Sequence, residues 1–147
     1  MAIDPAQLAQ LVKDTEDLVV LFGERHRTDY YAANALIGAA LTASVGVVFA
    51  GLYEKAKLAA VLGLVSGVLI SADAIWVPGD KAQFWRVMEA ETVNLRVDLR
   101  AVGTDSDRYE KAVAAYKLLK TASAEKIPRG GEMAAVRQLA TDLQIKK

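Results

Sequence analysis

From Tyr30 to Tyr53 the chain carries no charged side chain, and from Leu58 to Val77 it carries one, Asp73. As α-helices rising about 1.5 Å per residue, the segments 32–52 and 58–77 would each be roughly 30 Å long, the thickness of a bilayer's hydrocarbon core. The link from Glu54 to Lys57 is too short for a domain, so the two helices must be antiparallel neighbours. The sequence therefore predicts an all-α protein built on a two-span transmembrane helical hairpin. An N-terminal amphipathic helix would occupy 1–31, the hairpin 32–77, and a C-terminal cytoplasmic helical region 78–147. Two buried helices of a soluble bundle are the competing reading, and runs this long and this poor in charge favour spanning.

The energetics of insertion agree. Each Leu, Ile, Phe or Val near a helix centre contributes about −0.3 to −0.6 kcal/mol, against about +2.5 to +3.5 kcal/mol for a central Asp. Asp73 is not central, because Pro78 follows about one turn later. The first run is richer in Ala and Gly and inserts more readily as half of a hairpin. Apart from Glu54, Lys55, Lys57 and Asp73, every charge lies outside 32–77, which explains how 24% charged residues coexist with a mean hydropathy of +0.19.

Charge and composition narrow the function. Eighteen Lys and Arg balance eighteen Asp and Glu, so no clustered basic face argues for nucleic acid. With no cysteine and a single His26, thiol nucleophiles, disulfides and a histidine metal cluster are excluded. No enzyme, cofactor or metal is expected. Some thirty mostly polar residues with Asp14, Glu16 and Asp17 precede the first apolar run, a poor match to a signal peptide.

Helix signals organise the flanks. Asp4 before Pro5 is an N-cap followed by the residue best tolerated in a first turn. Leu8, Leu11, Thr15, Leu18 and Phe22 then alternate three- and four-residue steps, one apolar seam on a charged helix. After Pro78 and Gly79, Asp80 is expected to cap a helix running to about Val102, with Gly103 as its stop. Trp85, Met88, Thr92, Leu95, Leu99 and Val102 keep coiled-coil spacing along it, and this seam is expected to join copies of the chain. A further helix carrying Tyr109, Val113, Tyr116 and Leu119 should follow to about Lys126, and a short one from Glu132 with Met133, Val136, Ala140 and Leu143. Arg25, Arg27, Lys81 and Arg86 flank one side of the hairpin, against Lys55 and Lys57 in the loop, which favours flanks on the cytoplasmic side of the cell inner membrane.

Within the hairpin, Ala59, Gly63, Gly67 and Ser71 recur at four-residue steps, and Ala35, Ala39 and Ala43 answer on the first run. Small faces let membrane helices approach closely, so these ladders are expected to close the hairpin or pack it against copies. Asp73 falls within about a turn of Asn34 in depth. Intramembrane ionisable groups mark ion pathways by default, which makes Asn34 and Asp73 the pore or gate candidates, with a hydrated end or a pair to Asn34, Arg27 or Lys81 as the alternative for Asp73. Thr104 to Asp107 reads as a helix cap and not as a cation loop, which needs more ligands at fixed spacing. Pro128 to Gly131 lacks a phosphate-loop pattern and reads as a loop. Glu89 and Glu91 lie too close in sequence to share a helix face and read as solvated surface.

The order of features, a capped first helix, Tyr30 and Tyr31 entering a tight two-span hairpin, Phe84 and Trp85 opening the next helix, and a helical tail with Tyr109 and Tyr116, resembles the SLATT family of small bacterial two-transmembrane proteins. The resemblance implies a pore-forming effector that permeabilises the cell membrane in a nucleotide-signalled defence or conflict system. The expected function is thus an oligomeric membrane pore or channel, with a non-pore scaffold or accessory subunit as the alternative. The lipid bilayer, copies of the chain and a cytoplasmic signalling partner are its expected partners.

Overall fold

In the computed structural model, which describes residues 4–125 and 127, every regular element is an α-helix, and no strand occurs among the described residues. Four helices follow in order: α1 (Pro5–Leu52), α2 (Ala56–Trp76), α3 (Pro78–Arg100) and α4 (Ser106–Glu125). Two stretches of helix are long and apolar enough to cross a membrane, one within α1 and one beginning with α2. The all-α hairpin with helical flanks is therefore the fold. The short helix expected from Glu132 and the loop at Pro128 to Gly131 lie outside the described residues.

α1 starts as its sequence requires, with Asp4 Oδ1 accepting the Ala6 N–H at 2.9 Å and Pro5 in the first turn. It then runs 48 residues, about 72 Å, and passes from the charged segment into the apolar one at 31–32 without a break. The turn after it is closed by Lys55 N–H donating to Ala50 O at 2.8 Å, with Glu54 at φ 55°. α2 ends at Trp76, and Val77, which adopts φ 45°, ψ 49°, is at once the C-cap of α2 and the N-cap position of α3. Asp80 is thus not the cap of α3. Pro78 has no N–H to satisfy and opens the helix itself, leaving Asp80 in the first turn, where its carboxylate meets the positive end of the helix dipole. Gly103, at φ 55°, sits in the α3–α4 turn, where a left-handed residue is needed.

α2 and α3 together run antiparallel to α1 along nearly its whole length. The register is read from paired contacts: Gly46 with Leu62, Ser44 with Ser66, His26 with Ala82, Phe22 with Trp85, and Glu16 with Arg100. α1 turns one seam toward its partners throughout. Leu8, Leu11, Thr15, Leu18 and Phe22 are followed by His26, Asp29, Ala33, Leu36, Ala40, Ala43, Val47 and Ala50, all buried or half-buried. The steps alternate three and four except for an additional four between Phe22 and His26, a local stutter that unwinds a coiled coil.

The two halves differ in what fills the seam. In the charged half Phe22, Phe84, Trp85, Met88, Leu95 and Leu99 form a close-packed core with Leu119 and Ala122 of α4. In the apolar half the seam of α1 is mostly alanine, and the large side chains point outward. Ile37, Leu41, Val48, Leu64, Val68 and Ile75 are all exposed, Ile75 by 82%.

Candidate functional site at the hairpin and its junction

The hairpin interface is built from small and polar groups. Ser66, buried on α2, shares a hydrogen bond of 2.8 Å with Ser44 and donates to Ala40 O at 3.4 Å. Gly46 admits Leu62, whose Cδ1 would lie 2.9 Å from a Cβ at that position. The α2 residues turned toward α1 are Ala59, Leu62, Ser66, Leu69 and Asp73, again at three-four spacing.

That phase divides the expected packing ladder between residues that close the hairpin and residues that do not. Ala43 and Ala59 belong to the interface and Gly63 borders it, where an added Cβ would lie 4.0 Å from Val47 Cγ2. Ala35, Ala39, Gly67 and Ser71 do not: all four are exposed, and nothing approaches within 4 Å of where a Cβ of Gly67 would be. Two antiparallel helices at a shallow angle meet through alternating three-four rows, not along one four-residue row, so only part of the ladder can turn inward.

The expected oligomer seam is also corrected. Trp85 (3% exposed), Met88 (0%), Leu95, Leu99 (1%) and Val102 are buried inside the chain, against α1 and α4. Their apolar surface is already covered and is not free to join copies.

Asn34 is exposed, and its Nδ2 donates to Tyr30 O, 3.0 Å away in its own helix. Asp73 is half-buried at the junction end of the α2 seam. Among the described residues no hydrogen bond or ion pair links Asp73 to Asn34, Arg27 or Lys81. The turn at Thr104 to Asp107 is a cap: Asp105 Oδ1 accepts from the backbone N–H of Asp107 and Arg108 at 3.1 Å each, and its Oδ2 pairs with Arg108 Nε at 3.2 Å. No group of three potential metal ligands occurs among the described residues. Glu89 and Glu91 are half-buried: Glu89 lies against Gly23, and Glu91 lines a groove of about 420 Å³ between α3 and α4 over Leu95, Ala112 and Leu118.

The densest cluster of polar chemistry lies where α2 passes into α3. His26 Nδ1 and Ala82 O, 2.9 Å apart, tie α1 to α3 there. One side of this level is a groove of about 370 Å³ lined by Glu24, Arg25, Asp29, Trp76, Lys81 and Trp85 and reached by Ile127 beyond α4. Arg25 holds its guanidinium 4.9 Å from the ring centre of Trp85, which itself stacks on Phe22 with centroids 5.5 Å apart. The sequence announced Arg25 and Lys81 as flanking charges, and Trp76 is the last residue of α2. Their convergence depends on the α1–α3 register, which no local pattern encodes.

On α4, burial first and the Asp14 carboxylate second push the Tyr116 phenol above its usual value of 10.0. Compared with family models, curated proteins and solved structures, the chain matches none of them. The fold and site thus define a class by their own geometry: an all-helical protein with a long antiparallel hairpin whose apolar half is unpacked on the outside.

Proposed function

We propose that this chain is a two-span protein of the cell inner membrane, with the segments flanking the hairpin on the cytoplasmic side, and that copies assemble into a pore that acts as a membrane effector. The observation that carries the membrane reading is the inversion of burial. Large apolar side chains around both helices of the hairpin are exposed, while most of those of the charged half are buried in its core, Val20, Leu21 and Val97 being exposed. In water such a surface far exceeds the apolar patches that soluble monomers tolerate, and in lipid it is solvated.

Assembly through the bilayer is supported by outward small residues on each helix, Ala35 and Ala39 on α1 and Gly67 and Ser71 on α2, where neighbouring helices could approach closely. One hairpin cannot enclose a channel, so conduction requires several copies. Asn34, Gly38 and Thr42 form an outward row on α1 that would supply the least apolar wall, with Asp73 near its inner mouth. The resemblance to SLATT proteins favours a role in bacterial defence, with a cytoplasmic signal acting through the helical flank.

A specific observation favours a second reading, a scaffold or accessory subunit without a pore. Asn34, Thr42 and Ser71 each donate to a carbonyl of their own helix, so the hydroxyl donors of Thr42 and Ser71 and one N–H of Asn34 are satisfied without water. Ion flux from liposomes carrying the purified protein separates the two. Flux that changes selectivity in Asp73→Asn supports the pore with Asp73 at its mouth, flux unchanged by that substitution removes Asp73 from it, and liposomes that stay tight leave the scaffold.

A further inference from the structure

The groove at the α2–α3 junction holds two cations, Arg25 and Lys81, and two carboxylates, Glu24 and Asp29, and no ion pair joins any of them among the described residues. Arg25 and Asp29 stand one helical turn apart, a spacing that ordinarily lets such a pair meet. Arg25 instead lies over Trp85, which leaves the Asp29 carboxylate without its natural neighbour. The level of the groove is fixed by the chain itself. Asp29 immediately precedes the uncharged run that begins at Tyr30, Trp76 ends α2, and Lys81 lies in the following turn. In a bilayer this is the headgroup layer, where Trp and Tyr rings collect.

We propose that this groove binds the headgroup of a zwitterionic aminophospholipid, its phosphate oxygens on Arg25 and Lys81 and its ammonium on Asp29 and Glu24; the inference rests on the membrane reading above. The balance of charge selects this class. An anionic headgroup without an amine would place its negative charge beside two carboxylates with nothing to offer them. A choline headgroup has no N–H to donate, so it gains nothing from charge-assisted hydrogen bonds to the carboxylates. Trp76, at the lipid edge of the groove, gives the upper acyl chain an apolar wall.

The chain's two tryptophans, Trp76 and Trp85, both line the groove, so their emission reports its occupancy. The full-length protein is placed in phosphatidylcholine nanodiscs, and emission is followed as phosphatidylethanolamine or phosphatidylglycerol replaces the host lipid. Phosphatidylethanolamine should saturate the change with about tenfold preference over phosphatidylcholine, the factor that one charge-assisted hydrogen bond supplies. In Asp29→Asn that preference should fall toward unity, with Glu24→Gln as the second variant and far-ultraviolet circular dichroism as the check on folding. Equal response to all three lipids, or a preference for phosphatidylglycerol, overturns the proposal. So does an equal emission change when free O-phosphoethanolamine is added to detergent-solubilised protein, since the ligand would then be the soluble headgroup and not a lipid. Failure of the protein to enter nanodiscs at all is a distinct result, and it overturns the membrane reading together with this one.

Discussion

Val77 is a β-branched residue held in the left-handed region, directly before a proline, and it alone separates α2 from α3. That conformation costs a non-glycine residue about 1–2 kcal/mol. Val77→Gly should therefore raise stability by about 1 kcal/mol after the extra backbone entropy of glycine is subtracted, read as a higher melting temperature in detergent. A lower one would show that the half-buried valine side chain packs better than its backbone is strained. Tyr116 makes a prediction of the opposite kind, about solvent. Its folded pKa is raised above 10.0, so the folded state favours the neutral phenol; the contribution is complete below pH 10 and is lost as pH rises through the higher folded value. Alkaline unfolding of α4 should begin above about pH 10 and be blunted in Tyr116→Phe, as followed by hydrogen exchange of α4 amides. At this scale the sequence was most legible where chemistry is local. Asp4 and the Asp105 turn cap their helices as their residue types require, whereas the contact of His26 with Ala82 spans 56 positions and leaves no local trace.

Helices as units were harder to place than residues. The three-four seam on α3 was readable because large apolar side chains stand out against a charged background, and the structure buries each of them. What the spacing does not encode is the partner, and α1 and α4 of the same chain cover the seam that another copy was expected to cover. In the hairpin the contrast itself disappears. Small residues occur on several faces of α2, and only the register with α1 decides that Ser66 points inward while Gly67 and Ser71 point out. The interface then rests on a hydroxyl pair as much as on close approach. Ser66→Ala should weaken the hairpin by about 0.6 kcal/mol, the average for an interhelical hydrogen bond in a membrane. Ser66→Leu should cost more by overpacking a seam built from alanines. Steric trapping or denaturant titration in mixed micelles measures both, and an unchanged Ser66→Ala would place the stability of the hairpin in close packing alone.

At the scale of the molecule, two properties lie at opposite ends of one helix pair: a core that satisfies itself and a hairpin that does not. The charged half buries most of its aromatic and aliphatic residues among α1, α3 and α4 and leaves only Val20, Leu21 and Val97 exposed among its large aliphatic ones, so it offers a copy far less apolar surface than the hairpin does. Any assembly should therefore be held in the lipid, through Ala35, Ala39, Gly67 and Ser71, where small side chains let backbones approach and leucine does not. This gives a directional test. The mass of the detergent-solubilised complex, corrected for bound detergent, should correspond to about four or more copies if helix pairs are to ring a channel. Gly67→Leu or Ala39→Leu should reduce it toward the monomer without disturbing the hairpin, because neither position faces the partner helix. A charge-reversing Arg100→Glu, which breaks the exposed pair with Glu16 in the charged half, should leave the mass unchanged, since such surface pairs contribute only about 0–1 kcal/mol. If the leucine variants keep the full mass and substitutions in the charged half dissolve it, assembly runs through the helical flank and the outward small residues merely meet lipid. A wild-type monomer or dimer removes the pore altogether, and the unpacked hairpin is then an anchor that holds a self-contained helical domain, and its headgroup-level groove, at the membrane surface.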